Sequence, residues 1–173
     1  MDFAALLVAV VGLAVAALSL GWQIASWLLS AGRVRPRLRH GILTPGGLFS
    51  ALVTESGAPA DLASITEQGF IGSEVLAVQV ANIGRGPVTV ERFEVVLRGG
   101  KVSFVPHGDA IGPALPTRME PGTSETWMVK METVRAFVHA SQVLTPGRRR
   151  VGMTVELATG QKRSTRHAIE VVA

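Results

Sequence analysis

The sequence predicts a mainly β protein: an N-terminal transmembrane helix followed by a β-sandwich that carries one short helix. Three observations predict it. No charged residue occurs from Phe3 to Gly32. After Gly41 the apolar residues recur at every second position in several short runs separated by Gly- and Pro-containing turns, the period of a strand with one buried face. One stretch, METVRAFVHASQV from Met131 to Val143, instead carries a helical stripe of Val134, Phe137, Val138 and Ser141.

The helix comes first. FAALLVAVVGLAVAALSL, Phe3 to Leu20, is 18 residues of nearly pure hydrocarbon, and a helix needs about 20 residues to cross a bilayer core. GWQIASWLLSA extends it into the interface, where Trp22 and Trp27 fit an aromatic belt. A cleaved signal peptide needs a basic start and a shorter apolar core; this chain starts Met-Asp. The reading is a retained helix within residues 1–32. Its small-xxx-small spacings, Gly12 to Ala16 and Ala17 to Gly21, allow self-association into a homo-oligomer.

Next is GRVRPRLRHG, with Arg33, Arg35, Arg37 and Arg39 at every second position. Pro36 opposes a helix here and pushes its predecessor toward extended geometry. An extended chain places all four arginines on one face and Val34, Pro36, Leu38 and His40 on the other. Such a ribbon at residues 33–41, a basic juxtamembrane segment or first strand, suits anionic lipid headgroups. It equally suits a bare topology signal, since four arginines after the helix, against an α-amino group offset by Asp2 before it, orient it with its N-terminus outside and the domain in the cytoplasm.

The remaining segment, 42–173, reads as the sandwich. EVLAVQVAN alternates Leu76, Val78 and Val80 with Ala77 and Gln79; NIGRGP turns the chain; VTVERFEVVLR changes phase at Glu91–Arg92, which implies a bulge. KVSFVP is a short strand, and TSETWMVKM aligns Trp127, Val129 and Met131. RVGMTVEL alternates Val151, Met153, Val155 and Leu157, and STRHAIEVV reads as a closing strand with Thr165, His167, Ile169 and Val171 in phase. Short strands at regular spacing with turn signals between them point to an immunoglobulin-like sandwich. The stretch Thr54 to Gly69 reads as the most flexible part.

Charge narrows the function classes. The net charge is +4, of which +3 lies in residues 1–40 (four Arg against Asp2) and +1 in residues 41–173 (13 basic against 12 acidic). A nearly balanced domain lacks the footprint of a nucleic-acid binder. A basic C-terminal group, Arg148, Arg149, Arg150, Lys162, Arg163 and Arg166, is either a solvated face or an addition to the lipid-facing arginines. The chain has no cysteine. HGD, with His107 and Asp109, supplies two metal ligands where a stable site needs three or four. No HExxH, GxSxG or complete phosphate-loop spacing is present. Neither an enzymatic site nor a metal or cofactor is therefore expected.

GWQIASW at the helix exit, VANIGRGPVTV at 80–90, LPTRMEPG at 115–122 with Trp127, and VRAFV at 134–138 together resemble uncharacterised single-pass membrane proteins of high-GC Gram-positive bacteria with a C-terminal immunoglobulin-like sandwich. That resemblance implies an architecture and transfers no activity. The expectation is a membrane-anchored, non-enzymatic binding or scaffold protein with an unknown protein partner and anionic lipid beneath it. The alternative is an extracytoplasmic envelope or sensor domain on a signal anchor.

Overall fold

A computed structural model describes residues 3–29, 31–100, 102–108, 110–147 and 149–171, without the side chains of 27–29. In chain order its elements are α1 (Phe3–Leu29), β1 (Val34–Thr44), β2 (Gly47–Leu52), α2 (Ala63–Glu67), β3 (Ser73–Asn82), β4 (Val88–Leu97), β5 (Ser103–Phe104), β6 (Thr117–Met119), β7 (Ser124–Lys130), α3 (Met131–Ser141), β8 (Arg150–Leu157), β9 (Lys162–Ser164) and β10 (Ile169–Glu170).

The run from Phe3 to Ser26 within α1 has a mean hydropathy of 2.7, and none of it is buried against the rest of the chain. Its 27 residues reach about 40 Å at 1.5 Å per residue, longer than a bilayer core. By length and composition it is able to cross a membrane.

The rest is two antiparallel sheets. One has the order β2-β1-β3-β7; the other has β10-β8-β4-β5, with β6 on β4 and β9 on β8. Their facing sides enclose one core, in which Trp127, Phe93, Leu76, Leu97, Met119 and Met153 are the largest side chains lost to solvent. The expected bulge is present: the β4–β8 register shifts between Val90 and Arg92. Past it the odd residues Phe93, Val95 and Leu97 face the core. α3 covers one end, burying Met131, Val134, Val138 and Ser141; Phe137 on it stacks with Phe104, ring centroids 5.9 Å apart.

Several boundaries differ from the sequence expectation. β1 runs unbroken from Val34 to Thr44, so the basic segment belongs to the sandwich and the 41/42 boundary disappears. β2 was not expected; a Thr44–Gly47 turn folds it back on β1. β8 is buried on both faces rather than one, because Thr154 bonds Ser164 at 2.8 Å and a Cβ at Gly152 would meet Arg98. The closing strand is broken. Thr165 uses its hydroxyl, instead of its carbonyl, to accept the Met153 N–H at 3.2 Å, which releases the carbonyl to Arg98. The chain leaves the ladder there and rejoins it at Ile169, opposite Val151. Thr165, Ile169 and Val171 are nevertheless buried and His167 half-buried, in the expected phase. The stretch from Thr54 to Gly69 includes α2, and its Ala60 N–H donates to His40 Nδ1 at 3.0 Å.

Candidate functional site

The ribbon alternates as expected. Arg33, Arg35 and Arg37 are exposed, Val34 and Pro36 half-buried, Leu38 and His40 buried. Arg39 departs from the set. It is half-buried, its Nε donates to Ser50 Oγ at 2.9 Å, its Nη2 to the Ser50 carbonyl at 2.9 Å, and its Nη1 to Gln79 Oε1 at 3.2 Å. Those bonds hold β2, β1 and β3 together, so the outward-facing cations reduce to Arg33, Arg35 and Arg37. Sequence spacing gives the face of a side chain and says nothing of partners on other strands. Trp22 is exposed; the Trp27 side chain lies outside the described residues.

His40, on the apolar side of the ribbon, is 1% exposed. Because Nδ1 accepts the Ala60 N–H, the ring carries its proton on Nε2 and donates it to Glu74 Oε1 at 2.9 Å. Arg135 donates to the other oxygen, Oε2, at 2.6 Å. Burial pushes the Glu74 carboxyl up, but these two hydrogen bonds and the Arg135 charge outweigh it and hold the group below the usual carboxylate range. A carboxyl depressed by folding stabilises the protein above its unfolded pKa, near 4.3, and that stability is lost as pH falls through the lower folded value. Glu74→Gln should therefore lower the thermal midpoint at neutral pH, with the difference from the parent closing as the solution is acidified below about pH 4. The half-exposed Arg135 keeps the effect near 1 kcal/mol; a gap that persists at acid pH would count against this account.

The junction between α1 and the sandwich is short and tightly seated. Four residues separate Leu29 from Val34, a reach of at most about 18 Å. The Arg33 carbonyl accepts two N–H groups of the β3–β4 turn, Ile83 at 2.8 Å and Gly84 at 3.2 Å. Asn82 builds that turn. It is 1% exposed, donates from Nδ2 to the Gly86 carbonyl at 2.9 Å and the Met119 carbonyl at 3.2 Å, and accepts Gly84 N–H at 3.1 Å. A side chain at Gly84 would stand 2.3 Å from Arg33 N and 2.6 Å from the Ala31 carbonyl. This explains the N-x-G spacing that the sequence offers only as a turn signal.

On its other edge β1 is half open. β2 pairs with it from Arg39 to Thr44, and the last bond on that side is Val53 N–H to the Leu38 carbonyl at 3.0 Å. Backbone groups of successive strand residues point to opposite edges. Arg33 points its carbonyl at the β3 side and Leu38 at the β2 side, so Val34 and Pro36 present theirs to the open edge. Pro36 thus occupies a position where its missing N–H costs no ladder bond.

Beside this edge lies a cleft of about 620 Å³, within the roughly 300–1,000 Å³ of small-molecule sites. β1 supplies Arg35 and Arg37 to it together with Val34, Pro36 and Leu38; Leu52 and Val53 extend the apolar side. Arg163, Arg166 and His167 come from β9 and the irregular segment after it. Arg166 pairs at 3.5 Å with Glu55, both 80% exposed. Among the described residues no carboxylate lies within 4.0 Å of Arg35, Arg37 or Arg163.

The basic C-terminal group expected from sequence is therefore divided. Lys162 bonds Glu94 at 2.8 Å and stands 3.4 Å from Glu156, which in turn holds Arg92 at 2.7 Å. In this network the hydrogen bond from Arg92 holds Glu156 below the usual carboxylate range, and the bond to Glu94 holds Lys162 above the usual amine range. Arg150 donates to the Ser56 carbonyl at 3.2 Å, Arg148 lies outside the described residues, and Arg163 alone stands in the cleft without an acid. His107 is exposed and its Nδ1 lies 3.2 Å from the Val105 carbonyl; Asp109 is outside the described residues. No group of three potential metal ligands occurs among the described residues.

No protein-family model matches the chain, and a search of curated proteins gives no match.

Proposed function

We propose that this is a membrane-anchored, non-enzymatic binding or scaffold protein that holds its β-sandwich at the cytoplasmic face of the bilayer. The observation that supports it best is the combination at one junction. An exposed apolar helix ends four residues before a strand, and that strand turns Arg33, Arg35 and Arg37 outward. With no Lys or Arg on one flank and three outward arginines on the other, the helix inserts with the arginines in the cytoplasm. Each arginine near an anionic surface contributes about 1 kcal/mol, which orients a tethered domain and weakens with salt.

The chain has no native cysteine, so one introduced at Thr159, exposed in the β8–β9 turn, is the sole thiol. The full-length protein should stay in the membrane pellet through alkaline carbonate. Thr159→Cys should resist membrane-impermeant maleimide in intact cells and react after permeabilisation. Release by carbonate would overturn the anchor; labelling of intact cells would put the domain outside.

A further inference from the structure

The cleft beside the open edge of β1 is lined by two chemically distinct sets of side chains. Arg35, Arg37 and Arg163 bring three guanidinium groups with no acid within reach among the described residues, while Val34, Pro36, Leu38, Leu52 and Val53 form an apolar side. Cations and hydrocarbon brought together in one cleft match an anionic amphiphile. Planar guanidinium groups suit phosphate oxygens, which they hold bidentately.

We propose that this cleft is a headgroup site for one anionic phospholipid, drawn from the bilayer that holds α1; the proposal rests on the membrane-anchored reading above. The phosphodiester lies between Arg35, Arg37 and Arg163, and the glycerol and first acyl carbons lie along Val34, Pro36 and Leu38. Two features of place support lipid. The strand lining the cleft starts within about 18 Å of the helix end, and its first exposed cation, Arg33, is fixed to the β3–β4 turn. Glu55, the acid among the cleft residues, faces Arg166.

An acidic peptide joining the open edge is the competing occupant, and the backbone disfavours it. Strand addition draws its affinity from main-chain hydrogen bonds, and Pro36 has no N–H to give. Only Val34 offers both an N–H and a carbonyl before Leu38, whose carbonyl is taken by Val53. A proline and arginines at an open edge block pairing rather than invite it.

The test uses the full-length chain in neutral detergent, with lipid retention read by native mass spectrometry. The parent should retain one phosphatidylglycerol per chain under conditions where phosphatidylcholine is lost. Arg35→Gln, Arg37→Gln and Arg163→Gln together should weaken retention on the order of 100-fold, about fivefold per arginine. Leu52→Trp, which fills the cleft at a site already 46% exposed and leaves the charge unchanged, should also abolish retention. Arg85→Gln with Arg118→Gln removes two exposed cations outside the cleft and should leave retention intact.

Equal loss in that control pair would reduce the effect to general surface attraction and overturn the site. Displacement of the lipid by excess inorganic phosphate would make the ligand a free phosphate, and tighter retention of a poly-glutamate peptide than of phosphatidylglycerol would make it an acidic chain; either overturns the proposal. A parent that shows no lipid preference yet resists carbonate extraction would sink the cleft and leave the anchor standing. Release by carbonate would remove the premise and the site with it.

Discussion

Trp127→Ala should destabilise the sandwich by about 3–5 kcal/mol, the range for deleting a buried aromatic. Trp127 is fully buried on β7, opposite Val78 of β3. It touches the loop as well as the core: its indole N–H donates to the Pro113 carbonyl at 2.9 Å, and Gly112 sits so close that an added Cβ would be 3.0 Å from the ring. The substitution therefore leaves a cavity and frees the segment between β5 and β6. Trp127→Phe should keep much of the packing and lose the hydrogen bond, a cost of about 1–3 kcal/mol for the unpaired carbonyl. Urea unfolding of the full-length protein in micelles, followed by near-ultraviolet circular dichroism, reads both values. A cost below about 1 kcal/mol for Trp127→Ala would mean that the ring is not a core residue.

Asn82→Ala should cost about 2–4 kcal/mol, since it takes the Nδ2 donor from one buried and one half-buried carbonyl, at about 1–3 kcal/mol for a buried group left unpaired. The Gly86 and Met119 carbonyls lose a donor, while Gly84 N–H loses one of its two acceptors and keeps the Arg33 carbonyl. Asn82→Asp should be worse than alanine: it keeps an acceptor for Gly84 but turns a second oxygen toward two carbonyls. The same variants should loosen the junction, because the turn that Asn82 shapes holds the Arg33 carbonyl. Trypsin cleavage after Arg33 is the readout, expected to be several-fold faster in Asn82→Ala. Unchanged cleavage alongside the loss of stability would separate the turn's folding role from its hold on the linker.

The parts legible in the sequence are those set by local periodicity. The stripe of α3, the bulge after Val90 and the in-and-out alternation of Val34 to His40 depend on neighbours along the chain, and each is present. The phase of Thr165 and Ile169 is also correct, although the strand that carries them is interrupted by a single side chain. What the sequence hides depends on partners far along the chain. Arg39 looks like its three companions until Ser50 and Gln79 are brought beside it. Lys162 and Arg163 are adjacent in sequence, yet one joins an ion network on the outer face of β4 and β8 while the other faces the cleft. The cleft itself arises only because β2 stops short of Leu38 and β9 comes across from the other sheet. The unexpected β2 did have a local sign, the Pro45–Gly46 turn signal between two apolar runs.

The turn that grips the Arg33 carbonyl joins β3 of one sheet to β4 of the other. Both layers are thereby fastened, through one turn, to the residue that opens β1. On the membrane-anchored reading proposed above, a tilt or axial pull on α1 enters the folded body at the seam of its two layers, so that tension on the leader and the spacing of the sheets share one lever.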